Sequence, residues 1–443
     1  MPVSKTSQAK TYIDFFSGCG GLSLGLGWAG WKGVFAVEKD PMAFQTFRRN
    51  LIDRNSPNRH FRNWPKWLSV APHAIEDVLE DKTAVAGFKQ LAGKVTLVAG
   101  GPPCQGFSVA GARNGKDPRN LLVFKQIRAI DILRPLFAIV ENVEGFEKKF
   151  VNRPGTNTAV SVASEAIGEL GKIGYNVGKV VINAADFGVP QIRKRVILFA
   201  IAKDFIGDIQ VAPFVKYVLS KVAAKQRHEL GLPEDRFTNV GEALSDLAGD
   251  DLVPDPEFPA YQTCRYLPPE SNYARLMRAG RNVPEIPSCH RFNRHNERAV
   301  ALYRLAHETQ PSGRLSKEFL YANDCHSNKR FVLDLDRPCS TLTTAPEEII
   351  HFRHPRVATL REMARIQSFP DNFQFFGRYT LNGPARGVDV PRNAQIGNAI
   401  PPLVGRAFGK ALVEIRRLVL RKSRVLETFR KPFDPETGNL LLF

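Results

Sequence analysis

The stretch TYIDFFSGCGGLSLGL (residues 11–26) decides the fold of this 443-residue chain. It begins with the β-branched and aromatic residues of a buried strand and continues through a glycine cluster into a helix-like segment. Gly18, Gly20 and Gly21 allow a sharp turn at the carboxyl end of the strand, where open α/β sheets bind nucleotides. On its own such a turn is a weak signal, but it predicts a ligand site beside the first strand.

Similar apolar runs recur along the chain and alternate with helical patterns. They are GVFAVE (33–38), VTLVAG (95–100), LFAIVENV (136–143), VGKVVINA (177–184) and RVILFAIA (195–202). Strands of this length separated by helices predict an α/β fold with a mostly parallel sheet and helices on both faces. A further helix is predicted from Asn296 to Glu308, and another starts at Pro401 and Pro402.

Acidic residues are placed where a nucleotide cofactor needs them. Glu38 ends the second run, 20 residues after Gly18, and its carboxylate is suited to accepting hydrogen bonds from ribose hydroxyls. Asp77, in AIEDV, is predicted at the end of a third strand near an adenine. These residues leave NAD and S-adenosyl-L-methionine as comparable candidates.

The charge of the chain favours a polyanionic partner. Lys and Arg total 62 against 44 Asp and Glu, which gives a net charge of +18. An acidic stretch (231–260) precedes a basic one (261–330) that is interspersed with aromatic residues, so a second domain is predicted. The polar start, and apolar runs far shorter than the ~20 residues of a membrane span, predict a soluble, cytoplasmic protein.

The cysteines predict neither a disulfide framework nor a metal centre. The chain has six and no CxxC pair, so reduced thiols are expected. A zinc site from Cys289, His290, His295, Cys325 and His326 would have a spacing unlike the common ligand patterns. No metal is therefore predicted.

The segment VTLVAGGPPCQGFS (95–108) carries the candidate catalytic chemistry. Two prolines stiffen the turn after a buried strand and present Cys104 at the sheet edge. The next strand ends in Glu141, an acid beside a candidate thiol nucleophile. Arg193 and Arg195, in QIRKR, alternate at the start of a strand and are expected to share one face.

These pieces resemble the DNA (cytosine-5)-methyltransferases of bacterial restriction-modification systems. The matching motifs, in the family's order, are DFFSGCGG, FAVEKD, GGPPCQGFS, ENV, QIRKR, RPCSTLTT, TLREMARIQSFPDNF and QIGNAIPP. The resemblance covers both ends of the chain and implies the Rossmann-like fold of S-adenosyl-L-methionine-dependent methyltransferases with a smaller target-recognition domain. The interval from Glu38 to Asp77 is long for the family, and its insertion has no evident role.

The resemblance also implies roles for individual residues. Cys104 matches the nucleophile, and Glu141, Arg193 and Arg195 match the groups that hold the target cytosine. Arg337, in RPCSTLTT, resembles an arginine that supports the recognition domain. The residues implied around S-adenosyl-L-methionine are Phe16, Gly18, Gly20, Gly21, Glu38, Asp77, Pro103, Leu122, Asn398 and Ala399.

The implied organisation is discontinuous. Residues 1–200 with 391–430 are expected to form the catalytic and cofactor-binding domain, 201–390 the target-recognition domain and hinge, and 431–443 a tail. The expected partner is double-stranded DNA, with a monomeric enzyme, no membrane, and a separate restriction endonuclease of the same site. A tRNA methyltransferase of the same fold and a non-catalytic DNA-binding regulator are the alternatives. The recognition segment of more than a hundred residues and the presence of both Cys104 and Glu141 argue against them.

Overall fold

The computed structural model describes residues 9–103, 121–143, 145, 161–280, 283–325, 329–345, 348–379 and 390–430. Its strands are β1 (Thr11–Phe15), β2 (Lys32–Val37), β3 (Leu97–Gly100), β4 (Phe137–Asn142), β5 (Tyr175–Asn183), β6 (Lys194–Ala202), β7 (Leu252–Pro254), β8 (Gln262–Cys264), β9 (Gly313–Arg314), β10 (Phe331–Val332) and β11 (Ile349–Ile350). Its helices are α1 (Gly21–Trp28), α2 (Pro41–Leu51), α3 (Ile75–Glu80), α4 (Lys82–Leu91), α5 (Leu122–Leu133), α6 (Val162–Lys172), α7 (Lys203–Ile206), α8 (Val211–Glu229), α9 (Val240–Leu244), α10 (Asn272–Arg278), α11 (Glu297–Thr309), α12 (Lys317–Ala322), α13 (Leu360–Ile366), α14 (Arg392–Asn398) and α15 (Pro402–Leu420).

The main sheet contains the six strands expected from the apolar runs. In the described part of the chain its order is β2-β1-β3-β4-β6-β5. The first four of these strands are parallel, whereas β6 runs antiparallel to both β4 and β5. The prediction of a mostly parallel sheet is confirmed. The parallel arrangement brings the ends of β1 to β4 to one edge, where the glycine turn and Glu141 lie.

The two ends of the chain meet where α15 packs on α1. A Cβ atom on Gly25 would lie 2.1 Å from the carbonyl oxygen of Pro402, and one on Gly405 would lie 2.7 Å from that of Leu22. The indole of Trp31 donates to the carbonyl of Gly409 at 3.0 Å. The glycines therefore allow an approach between the helices that no larger residue permits.

Replacing Gly25 with alanine is expected to destabilise the protein by about 1–3 kcal/mol, because the added methyl group overlaps backbone that cannot move aside. Gly168 is the matched control: it is helical and exposed, and a Cβ there would meet nothing within 4 Å. Gly168→Ala should be neutral or stabilise the helix. Urea unfolding measures both variants, and equal midpoints for the two would contradict the close helix contact.

The insertion between α2 and α3 closes the outer edge of the sheet. Phe61 is buried beneath β2, where a Cβ on Gly33 would lie 2.3 Å from its ring. His60 Nε2 and the Tyr12 hydroxyl are 2.6 Å apart, and Trp67 contacts Phe35 edge to face at a ring separation of 5.3 Å. The long interval before Asp77 thus has a packing role, covering an edge strand with aromatic side chains.

The expected domain boundary at residue 201 needs to be moved. β6 continues to Ala202, and α8 buries Phe214, Val215 and Val218. Its start lies against β5, since a Cβ on Gly178 would be 2.5 Å from the backbone nitrogen of Ala212. We therefore place the boundary after α8, because its apolar face is part of the core of the sheet. The helices predicted near Asn296 and Pro401 are confirmed as α11 and α15.

A second, smaller core lies in the segment that follows. It is formed by buried side chains of α11, α12 and the three-stranded sheet β11-β10-β9. Leu302, Tyr303 and Ala306 supply the face of α11, and Val332 and Ile350 the strands. We call this region, together with residues 252–296 that lead into it, the small domain, and the part built on the six-stranded sheet the large domain.

A buried group of charges joins segments distant in sequence. Arg365, on α13, forms a two-pronged ion pair with Asp371, both bonds being 2.6 Å, and bonds Asp246 at 3.0 and 3.1 Å. All three side chains are buried, and the Tyr266 hydroxyl donates to Asp371 at 2.7 Å. Burial alone raises the pKa of Asp371, but the charge and hydrogen bonds of Arg365 outweigh it and lower that pKa. The pairing compensates the desolvation of these charges.

A search of the described residues for membrane-spanning helices finds none of sufficient length and apolarity. The longest helices, α8 and α15, carry several charged residues each.

Candidate functional site

The turn after β1 is shaped by residues in left-handed backbone conformations. Phe16 has φ 55° and Gly18 φ 56°, and a Cβ on Gly18 would meet nothing within 4 Å. Glu38, at the end of β2, accepts hydrogen bonds from the backbone N–H of Gly18 at 2.9 Å and of Asp40 at 2.8 Å. Burial, opposed by these hydrogen bonds, raises its pKa. The carboxylate is thus held between the ends of two adjacent strands.

The segment after α14 returns to this turn. A Cβ on Gly21 would lie 2.3 Å from the carbonyl oxygen of Ile400 and 3.4 Å from Ala399. Asn398 and Ala399 line the same cleft as Phe16 and Gly18. Residues far apart in the sequence therefore share one wall of the cleft.

A neighbouring thiol is unsuited to nucleophilic chemistry. Cys19 is buried, and its sulfur lies 3.5 Å from the carbonyl oxygen of Gln395. Burial raises the pKa of this thiol to about 12. Because the thiolate is the reactive form, Cys19 is inert at neutral pH.

The turn after β3 carries the candidate nucleophile. Pro103 lines the cleft together with Leu122, the first residue of α5. The side-chain amide of Asn142 donates to the carbonyl of Pro102 at 3.2 Å and so fixes the turn to β4. Cys104 itself, with residues 105–120, lies outside the described residues.

An ion pair between Glu141 and Arg195 lines the cleft. Glu141, near the end of β4, and Arg195, on β6, approach to 3.1 Å, and both are largely shielded from solvent. A Cβ on Gly101 would lie 2.9 Å from the Glu141 carboxylate, so the glycine leaves room for that side chain. The two charged groups therefore have a defined geometry beside the turn that leads to Cys104.

Arg193 is arranged differently from Arg195. Its guanidinium is buried and donates to the carbonyl oxygens of Leu342 at 3.2 Å and Gly397 at 2.8 Å. Burial, with the charge of Arg195, lowers its pKa. The two arginines therefore have different partners: Arg195 pairs with Glu141, and Arg193 ties together three segments of backbone.

Three expectations are corrected. Asp77 is exposed on the first turn of α3 rather than at a strand end, and the cleft is lined instead by Ile75 and Glu76. Gly20 does not line the cleft; a Cβ there would collide with Leu51 and Phe47. Asp77 is displaced because a helix forms where the end of a strand was expected, and Gly20 faces Leu51 and Phe47 of α2 instead of the cleft.

The third concerns Arg337, whose side chain is 81% exposed and pairs with Asp334 across 3.7 Å. The surrounding backbone makes the connection between the domains instead. Cys339 exchanges backbone hydrogen bonds with Pro190 at 2.9 Å and Ile192 at 2.8 Å. The sequence signal for this crossing was the RPCSTLTT motif as a whole rather than its arginine.

The cleft lies between the large and small domains and has a volume of about 1570 Å³. One wall carries the residues described above. The other wall, which sequence reasoning did not resolve into residues, is formed by Tyr261, Arg291, Asn293, Arg294, His295, Asn296, Tyr303 and Arg330. Among the described residues, no three His, Cys, Asp or Glu side chains are grouped to hold a metal ion, and His326 lies outside them.

The fold and this site define the class of protein. A glycine turn and an acid at adjacent strand ends, facing a carboxylate–arginine pair, in a sheet with one reversed strand, are features of Rossmann-like methyltransferases. Residues 10–414 match the family model of the C-5 cytosine-specific DNA methylases, so the chain belongs to that family and is a DNA (cytosine-5)-methyltransferase.

Two relatives agree with this assignment, and a solved structure agrees with the fold. The type II methyltransferase M.DdeI of Desulfomicrobium norvegicum is 30% identical over 412 residues, covering 90% of this chain and 88% of that protein. The type II methyltransferase M1.HphI of Haemophilus parahaemolyticus is 28% identical, covering 92% and 88%. A prophage-encoded chain from E. coli, described as a DNA modification methyltransferase, shares the fold with a TM-score of 0.63 at 24% identity, covering 93% of this chain and 100% of that one.

Proposed function

We propose that this protein uses S-adenosyl-L-methionine to methylate carbon 5 of a cytosine flipped out of a specific site in duplex DNA. It acts as a monomer beside a restriction endonuclease of the same specificity. One observation carries the proposal: the Glu141–Arg195 pair lines the same cleft as the glycine turn and Glu38. The description of the curated relatives as type II methyltransferases supports the restriction-modification context.

The residues of the large-domain wall fit the cofactor. The hydroxyl of Ser17 is buried and has no hydrogen-bond partner among the described residues, although it lines the cleft. Glu38 offers a carboxylate to ribose hydroxyls, Phe16 and Leu122 offer apolar surface to a purine, and Gly18 leaves open space. S-adenosyl-L-methionine supplies an electrophilic methyl group when it is bound there.

The chain's own groups activate the base. Carbon 5 of cytosine is a poor nucleophile, so the thiolate of Cys104 adds to carbon 6 while Glu141 hydrogen-bonds or protonates ring nitrogen 3. This addition moves electron density onto carbon 5. Arg195 holds the Glu141 carboxylate in place through their ion pair. Once carbon 5 carries the methyl group, its proton passes to solvent water, and expulsion of the thiolate restores the ring.

The size of the cleft suits an extruded base, and the net charge of the chain suits DNA. Small-ligand pockets occupy roughly 300–1,000 Å³, whereas this cleft measures about 1570 Å³ and has room for cofactor and nucleotide together. Carbon 6 of a stacked cytosine is inaccessible to a side chain, so the base has to leave the duplex. The net charge of +18 favours the surrounding phosphates.

Glu141→Gln tests the proposed chemistry. The amide keeps the shape of the side chain but cannot protonate ring nitrogen 3, so methyl transfer to duplex DNA should fall by about 10²- to 10⁴-fold. Binding of S-adenosyl-L-methionine, measured by calorimetry, should be unchanged. Glu414→Gln, which removes a carboxylate from the exposed Glu414–Arg417 pair, is the control and should keep the wild-type rate. A wild-type rate for Glu141→Gln would contradict the role of the acid.

A further inference from the structure

The small-domain wall of the cleft contains residues 289–296, which lie outside the helices and strands and are anchored by hydrogen bonds. Backbone of Cys289 accepts from Arg361 N–H at 2.9 Å. His290 is fully buried, with Nδ1 2.7 Å from the Thr359 hydroxyl. The backbone N–H of Phe292 donates to Gln262 at 2.8 Å.

Neighbouring side chains at the start of this segment point in different directions. His290 is turned into the protein, whereas Arg291 and residues 293–296 line the cleft. The anchoring of His290 and Phe292 therefore determines where Arg291 projects.

Three aromatic rings surround the guanidinium of Arg291. Its central carbon lies 3.9 Å from the ring centre of Tyr379, 4.2 Å from Tyr261 and 4.8 Å from Phe258. Contacts of this kind are attractive, because the positive charge lies over the electron-rich face of each ring. They hold a long side chain in one orientation before a ligand arrives, which lowers the entropy cost of binding.

The rings contact the faces of the guanidinium, but they do not accept hydrogen bonds from its Nε–H group. Arg291 Nε is buried without a hydrogen-bond partner among the described residues. The carboxylate of Glu257 is occupied by Arg392. Asp255 attracts Arg291 electrostatically, but its Oδ1 accepts the backbone N–H groups of Glu257 and Phe258 at 3.0 and 2.8 Å.

Arg294, three residues on, offers a contrast. The central carbon of its guanidinium lies 4.9 Å from the Tyr261 ring centre, and the residue is exposed. An exposed arginine without a ring cage is suited to a phosphate, which accepts from many directions. A caged guanidinium, fixed in plane, is suited to a planar partner with two adjacent acceptors, and the O6 and N7 atoms of guanine form such an edge.

We propose that Arg291 reads the O6/N7 edge of a guanine in the recognition site of this enzyme. This inference rests on the proposed action on duplex DNA and adds a base to its substrate: the methylated site contains a guanine read from the small domain. Arg294 supplies affinity through a neighbouring phosphate, and it does not determine the sequence.

The test is a binding selection. Full-length protein with S-adenosyl-L-homocysteine is mixed with duplexes of randomised sequence, and the bound fraction is sequenced. The wild-type protein should enrich guanine at one position of the site. In Arg291→Gln the preference for guanine at that position should fall by about tenfold to hundredfold, while the preferences at other positions stay unchanged. Arg291→Lys should lose the same preference, because an ammonium keeps the charge but not the two-pronged geometry. Arg294→Gln should weaken binding to all duplexes alike and should retain the preference for guanine. It should also reduce the slope of log affinity against log salt concentration by about 1.

Three outcomes would overturn the inference. These are a wild-type site without guanine, an unchanged preference in Arg291→Gln, or full selectivity in Arg291→Lys, which would mean that the two-pronged geometry of the guanidinium does not select the guanine. Incubation of the enriched duplexes with the enzyme and S-adenosyl-L-methionine, followed by bisulfite sequencing, separates the two proposals. Guanine selection without cytosine methylation would count against the proposed chemistry alone, and methylation with selectivity intact in Arg291→Gln would count against the guanine contact alone.

Discussion

Cys104→Ser is expected to reduce methyl transfer by about 10⁴-fold or more, since a serine hydroxyl is a far weaker nucleophile than a thiolate and carbon 6 would no longer be attacked. Cofactor and DNA should still bind, because the substitution removes only one sulfur atom. Cys325→Ser is the control: it changes a partly buried thiol of the small domain and should leave the rate unaltered. Tritium transfer to duplex DNA is the measurement.

The same nucleophile should become trapped on a modified base. With 5-fluorocytosine at the target position, the thiol adduct forms but fluorine cannot leave carbon 5 as a proton does, so the thiolate cannot be expelled. A DNA–protein complex that survives denaturing electrophoresis is expected for the wild type and for Cys325→Ser, and its absence for Cys104→Ser. Substantial methylation by Cys104→Ser would refute the assignment of the nucleophile.

Arg365→Met is expected to lower the free energy of unfolding by about 3–5 kcal/mol. The substitution leaves the carboxylates of Asp371 and Asp246 buried without their partner. The matched control is Arg353→Met, which breaks an exposed pair with Asp250 at 2.6 Å and should cost less than about 1 kcal/mol. Urea unfolding compares the two. Similar losses of unfolding free energy in both variants would show that the buried ion pairs stabilise the protein no more than the exposed pair does.

The main sheet was predictable because the pattern of a buried strand is visible within a few consecutive residues. Buried strands consist of continuous apolar runs, and β1 to β6 all lie where such runs occur. The reversal of β6 was not predictable in this way, since an apolar run has no direction. It depends on the short connection from β5, which leaves no room for a crossover helix.

The candidate site was predictable in part. Phe16, Gly18, Glu38, Pro103 and Leu122 line one cleft, as do Gly21, Asn398, Ala399, Glu141, Arg193 and Arg195. Asp77 was misplaced because a strand was expected where α3 forms, which exposes that carboxylate and leaves Ile75 and Glu76 at the cleft. The role of Cys104 stays a prediction, since that residue lies outside the described ones.

The sequence by itself determined what depends on neighbouring residues: the strands, the glycine turn at Gly18, the helix starts, and the motifs of the methylase family. Tertiary structure alone decided which distant segments touch. It brought Ile400 to Gly21, separated the partners of Arg193 from those of Arg195, and enclosed Arg291 with Tyr261 and Tyr379. The physical reason is that backbone conformation and apolar periodicity are local properties, whereas contacts between segments depend on how whole elements pack.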